Sequence, residues 1–144
     1  MAYTGTVLRI DLTTGKATKE PLNKEWAKDY LGGKGLSIKY LYEELKPGID
    51  PLSPDNKLIL MTGPMTGTIV PNSGKLSVAA KSPATGTILD CSIGGHFAAE
   101  LKYAGYDAVI IEGKAKSPVY LFIDDDIVEM RSAAELWGKG AHET

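Results

Sequence analysis

The sequence is short of the residues that usually carry metal or redox chemistry. It has one cysteine, Cys91, and two histidines, His96 and His142. A single thiol forms no internal disulfide and cannot by itself ligate an iron–sulfur cluster or a structural zinc. Long apolar runs are missing too: none approaches the ~18 residues of a membrane-spanning helix. The opening MAYTGTVLRIDL lacks the basic-then-apolar layout of an export signal. Charge of one sign never dominates, with 16 Lys plus Arg against 18 Asp plus Glu and no block longer than Asp124-Asp125-Asp126. Nucleic acid and anionic membrane are therefore excluded as main partners, and a cytoplasmic soluble chain is expected. At 144 residues the sequence fits one domain, residues 1–144, with a core of its own.

What is present reads as α+β. Leu8, Ile10 and Leu12 alternate with Arg9 and Asp11 as a half-buried strand, and Thr13-Thr14-Gly15 turns it into a polar partner over Lys16 to Glu20. Asn23 is placed to cap a short helix that Gly32-Gly33 stops. A second helix, roughly Leu36 to Leu45, carries Ile38, Leu41, Tyr42 and Leu45 at helical spacing and ends at Pro47-Gly48. Strands follow at Lys57 to Thr62, Lys75 to Ala80, Thr87 to Asp90, Asp107 to Glu112, Pro118 to Ile123 and Ile127 to Arg131. A third helix, about Gly95 to Ala104, interrupts them and stops at Gly105. Ser132 and Glu135 have capping-box spacing for one last helical turn.

Three segments raise a question of chemistry. KLILMTGPMTGT (Lys57 to Thr68) and KLSVAAKSPATGT (Lys75 to Thr87) repeat a strand feeding a PxTGT turn. The two turns serve either as local structure or, if they share one end of neighbouring strands, as a rim of hydroxyls and amides that grips an anion. LGGKGLSIKYL (Leu31 to Leu41) is neither a dinucleotide fingerprint nor a P-loop. It is an interhelix turn or a helix entrance whose amides meet a phosphate. CSIGGHFAAELKYAGYD (Cys91 to Asp107) places Gly94-Gly95 before a helix, where backbone can approach a ligand with no Cβ in the way. Phosphate suits that arrangement. His96 has no second His, Cys or carboxylate at triad or ligand spacing and reads as a supporting residue. Cys91 reads as a small structural residue at a strand end, and Glu100 and Lys102 as a solvated or packing face. Asp124 to Asp126 form a hairpin loop without calcium-loop spacing.

Several long blocks in one order resemble the N-terminal domain of the aldehyde ferredoxin oxidoreductase family. They are LGGKGLSIKYLYEEL, PGIDPLSPDNKLILMTGPMTGT, SGK with KSPATGT, IGGHFAAELKYAGYDAVIIEGKAKSPVYLFI and ELWGKGAHET, and together they cover essentially the whole chain. The resemblance implies a β-rich cofactor-binding base of about eight strands, two or three short helices and an opening hairpin. On it would sit a tungsten (or molybdenum) bis-pterin, whose dithiolenes hold the metal and whose phosphates join through magnesium. By position, Lys75 falls where the family typically has a pterin-contacting Arg. Ser92 falls where relatives often have an Asn whose backbone helps bind the phosphate and magnesium region. Gly94 falls on a backbone contact, with Gly95 beside it. Lys75 keeps the charge of Arg without its planar fork. No residue of the chain is assigned a catalytic or metal-ligating role.

The family's helical domains supply a [4Fe–4S] cluster and acid–base residues that this sequence lacks. The chain thus reads as an N-terminal piece of a longer enzyme or one subunit of a split one, inactive alone. The implied reaction is oxidation of a small aldehyde to a carboxylate with electrons passed to ferredoxin, in an enzyme expected to be a homodimer at full length. A sister branch reduces an aromatic acyl-CoA ring. A reading from another class is a non-catalytic β-rich binding or scaffold module.

Overall fold

The computed structural model describes residues 2–144. Eight strands and three helices form one six-stranded sheet, a separate two-stranded hairpin and helices on both sheet faces. In chain order the elements are β1 (Thr6–Asp11), β2 (Lys16–Pro21), α1 (Lys24–Tyr30), α2 (Gly33–Glu44), β3 (Lys57–Thr62), β4 (Leu76–Lys81) and β5 (Ile88–Ile93), then α3 (Phe97–Tyr103), β6 (Ala108–Glu112), β7 (Val119–Asp124) and β8 (Ile127–Ser132). The sheet order is β2-β1-β6-β3-β4-β5, with β7-β8 apart. The α+β, strand-rich architecture matches the expectation from sequence. Among the described residues no helix is long and apolar enough to cross a membrane.

Alternation along the strands divides the core in two. Val7, Ile59, Met61, Ala79, Ala108 and Ile110 point to the face covered by α1 and α2, where Leu36, Tyr40 and Leu41 meet them. Leu8, Ile10, Leu76 and Val109 point to the other face, under α3 and the β7–β8 hairpin. The central strand β6 is flanked by β1 in parallel and β3 antiparallel, and its Ala108-Val109-Ile110 run is buried on both sides.

Local signals place most boundaries. Asn23 Oδ1 accepts the Trp26 amide at 3.0 Å and caps α1. Gly15 and Gly105 take positive φ, +76° and +94°, closing the first hairpin and terminating the α3 segment. Ser132 does precede one turn, closed by Trp137 N to Ala133 O at 2.9 Å, which does not continue as a helix.

Two expectations need correction, and one open alternative is settled. The inward face of α2 is Leu36, Ser37, Tyr40 and Leu41, while Tyr42 is 75% exposed. The helix starts at Gly33 and its small residues turn toward β4: a Cβ on Gly33 would lie 4.0 Å from Ser77 Cβ, and the Ser37 and Ser77 hydroxyls are 3.2 Å apart. Cys91 is exposed within β5, the edge strand that among the described residues pairs with β4 alone. Of the solvated and packing alternatives for Glu100 and Lys102, Glu100 takes the exposed one and Lys102 the packing one, buried in an ion pair with Asp107.

Candidate functional site

A cleft of about 390 Å³ opens where α2 begins, β3 ends and β4 begins. Its walls are Gly32, Gly33 and Lys34 from the entrance of α2, Gly63 to Thr66 from the turn after β3, Lys75 to Ser77 at the start of β4, and Ser92 from β5. Antiparallel pairing explains the convergence. Thr62 lies opposite Leu76 and Ser77 opposite Ser92, so the end of β3, the start of β4 and the end of β5 share one edge of the sheet.

The two PxTGT turns therefore do not form a common rim. With β3 and β4 antiparallel, the turn after β3 borders the cleft, whereas the turn after β4 lies at the opposite end of the sheet. There it is anchored beside Asn56, whose side-chain amide donates to Lys81 O at 2.9 Å. The shared motif encodes a shared turn and two separate locations.

The glycines have distinct reasons. Gly32 lets the entrance of α2 press onto the β3 turn; a Cβ there would stand 3.0 Å from Thr62 O and 3.1 Å from Pro64 Cδ. No side chain caps α2, so its first amides face the cleft region with their donor capacity free of a capping side chain. Gly94 and Gly95 follow β5 directly. They are not cleft walls, but Gly95 O sits 2.8 Å from where a Cβ of Gly74 would be, which places the pair against the segment leading into Lys75. Gly95 has φ +118°, while a Cβ on Gly94 would meet nothing within 4 Å.

Polar side chains in the cleft are donors more than acceptors. Lys75 is exposed and has no ion-pair partner among the described residues. Lys34 Nζ lies 3.7 Å from Asp90 Oδ2, with the Lys34 side chain 70% exposed. Asp90 is the nearby carboxylate, and its other oxygen is occupied by the Ser77 hydroxyl. Two ammonium groups, the Ser92 hydroxyl and a helix entrance thus face a space in which the one carboxylate already has partners. His96 is exposed at the head of α3, and its side chain caps nothing.

Among the described residues, no group of three or more His, Cys, Asp or Glu is placed to hold a metal ion. A metal seated in this cleft would have to bring its own ligands. The donor set fits an anionic, phosphate-bearing organic group that does so. A second depression of about 410 Å³, between α3 and the β7–β8 hairpin, is walled by apolar side chains with Glu100, Asp124 and Asp125. Those carboxylates oppose an anion.

Sequence reasoning missed Thr66 as a buried wall of the cleft and the Lys102–Asp107 pair behind it. The signal for the pair was present: a lysine and an aspartate five positions apart across a helix-stopping glycine, in LKYAGYD.

Comparison with known proteins identifies the family. The family model described as "Aldehyde ferredoxin oxidoreductase, N-terminal domain" matches residues 7–144. A tungsten-containing aldehyde ferredoxin oxidoreductase of Pyrococcus abyssi is 52% identical over 142 residues, 99% of this chain and 23% of that protein. An aliphatic sulfonate oxidoreductase, WOR-like subunit, of Pyrococcus furiosus is 43% identical over 145 residues, again 99% and 23%. The solved active-site complex BamBC of benzoyl coenzyme A reductase, in complex with 1,5 dienoyl-CoA, superposes with a TM-score of 0.96 at 42% identity, covering 99% of this chain and 22% of that one. The chain spans just under a quarter of the length of these relatives. With a family match running from β1 to Thr144 and relatives of this identity, the chain belongs to the aldehyde ferredoxin oxidoreductase family as its N-terminal domain.

Proposed function

We propose that the chain is the cofactor-binding part of a tungsten (or molybdenum) bis-pterin oxidoreductase that oxidises aldehydes to carboxylates and passes the electrons to ferredoxin. The observation that carries this reading is the cleft at Lys34, Lys75 and Ser92: rich in donors, poor in acceptors, and without protein metal ligands. When bound, the cofactor would supply its own sulfur ligands to the metal and the two-electron redox capacity, and Lys34, Lys75, Ser92 and the amides at Gly32-Gly33 and Gly94-Gly95 would hold its anionic part. The chain's own residues bind and orient. Lys75 and Lys34 offset negative charge, the amides at Gly32-Gly33 and at Gly94-Gly95 donate to phosphate oxygens, and Ser92 contributes a hydroxyl and a backbone contact. Small residues at these positions let main chain come within hydrogen-bonding distance of the ligand.

Overall, an aldehyde and water become a carboxylate, with two electrons and the accompanying protons released. The acid–base groups and the [4Fe–4S] cysteines for that conversion belong to polypeptide outside residues 1–144, so this unit alone is inactive. The full enzyme works as a homodimer on small aldehydes. A second reading, ring reduction of an aromatic acyl-CoA, is favoured by the likeness to the benzoyl coenzyme A reductase complex. The higher identity to the Pyrococcus abyssi aldehyde enzyme favours the first.

The test is metal analysis of the anaerobically purified full-length enzyme and of its Gly94→Val variant. Tungsten or molybdenum with pterin is expected in the parent. The variant should lose it while melting normally, since the added side chain starts in open space at an unstrained φ. A metal-free parent that associates with a partner would support the scaffold reading, and a fully loaded variant would overturn the glycine assignment.

A further inference from the structure

Lys102 and Asp107 stand behind the cleft wall and have no role in the reading above. Lys102 points inward from α3, and Asp107 precedes β6; their side chains are 8% and 2% exposed. Lys102 Nζ donates to Asp107 Oδ1 at 2.5 Å, to Thr62 Oγ1 at 3.3 Å and to Gly63 O at 3.2 Å. The Asp107 carboxylate also accepts the amides of Thr4 at 3.1 Å and Gly5 at 2.7 Å. Both charges are therefore fully partnered. Burying such a pair adds little net stability over an apolar pair of the same volume, so packing alone does not account for it.

Its third bond reaches the cleft. Gly63 is the residue at which β3 leaves the sheet and becomes cleft wall. The Gly63 amide donates to Thr66 Oγ1 at 2.9 Å, and the Thr66 hydroxyl donates to Lys75 O at 3.3 Å. Thr66 is 4% exposed. One unbroken hydrogen-bonded run thus links Asp107, Lys102, Gly63, Thr66 and the main chain of Lys75. From the far side Gly32 closes on the same wall, its Cβ position 3.2 Å from Gly63 Cα, leaving no slack between the two sides of the cleft.

We infer that Thr66 and the Lys102–Asp107 pair are positioning residues, which together fix the Gly63–Thr66 wall and the Lys75 backbone so that Lys75 and the α2 entrance converge on one anionic ligand. The ligand's identity rests on the proposed function; the strut itself does not. None of the three side chains needs to touch the ligand through a charged group. Thr66 tests this most cleanly, because valine keeps its shape while removing the hydroxyl that joins Gly63 to Lys75.

The experiment compares full-length wild type with Thr66→Val, Thr66→Ser and Lys102→Met. Hydrogen exchange is read over residues 62–76, with tungsten content and melting temperature. In Thr66→Val, exchange over Gly63 to Lys75 should rise by about tenfold, the scale of one lost hydrogen bond, and tungsten content should fall, with little change in melting. Thr66→Ser should restore both. Lys102→Met should act in the same direction; if it fails to accumulate, the Val and Ser pair decides alone. Wild-type exchange in Thr66→Val, or faster exchange with wild-type tungsten content, overturns the inference. Should wild type itself carry no tungsten or molybdenum, the proposed function fails, and the exchange comparison still decides whether the strut holds the wall.

Discussion

Two charged regions of this domain look alike in composition and differ in what their charges do. At the β2 side of the sheet, Arg9 pairs with Glu20 at 2.8 Å, Glu44 at 2.9 Å and Glu112 at 3.3 Å, and Lys57 pairs with Glu44 and Glu112. Burial disfavours the charge on Arg9, yet its bonds to Glu44 and Glu20 outweigh that and raise its pKa above the ordinary guanidinium range. Burial likewise pushes the Glu44 carboxyl up, but Arg9 and then Lys57 more than reverse it and hold it below the usual carboxylate value. Every charge there has a partner within the domain. In the cleft, Lys75 has none among the described residues, and Lys34 reaches Asp90 only at 3.7 Å. Closed charge networks join elements of the fold, whereas the open cations of the cleft are the ones the proposed function draws on.

The largest test of that contrast is Arg9→Leu, which leaves Glu20 without a cation and Lys57 alone to offset Glu44 and Glu112. We expect a loss of about 3 kcal/mol in denaturant unfolding. A loss no larger than that of an ordinary surface substitution would show that the network does not staple the sheet. Acid should act next. Because the folded pKa of Glu44 is depressed, the unfolded chain takes up the proton first. The contribution of Glu44 is thus complete above the ordinary glutamate pKa of the unfolded chain and is lost as pH falls through the lower folded value. The stability gap between wild type and Glu44→Gln should therefore narrow on acidification, as followed by unfolding at a series of pH values.

In the cleft the same kind of change should spare the fold. Lys75→Met is expected to shift unfolding by no more than about 0.5 kcal/mol, while metal retention in the full-length enzyme falls about tenfold, the scale of one charge-assisted hydrogen bond. A large drop in stability with retention unchanged would merge the two regions into one class. The smallest effect should come from Lys75→Arg, which restores a planar fork; retention should tighten by a few-fold at most.

Much of the architecture was legible in the sequence because its signals are local. The six residues Lys57 to Thr62, the Asn23 cap and the turn at Gly15 need only near neighbours. What could not be read locally depends on pairing across the chain. The second PxTGT turn has the chemistry of the first, and only the antiparallel register of β4 sends it to the opposite end. The face α2 buries was missed because Ser37 and Gly33, not apolar residues, meet β4. Lys75 and Ser92 were legible as candidates through the family resemblance, and strand pairing then brings both to one cleft. Thr66 was not, since a threonine in a turn gives no hint of burial, and the pairing of Lys102 was overlooked although its spacing to Asp107 across Gly105 offered a signal.

The position of β6 also bears on how the domain is made. Its neighbours are β1 and β3, so the first strand has its inner partner only once residues 108–112 exist. Until a ribosome has released that stretch, the β1–β2 hairpin and the β3–β5 meander are two half-sheets with apolar edges and nothing between them. Synthesis order thus leaves the nascent domain vulnerable to aggregation until β6 emerges, and assembly of this sheet should proceed in one concerted step after that.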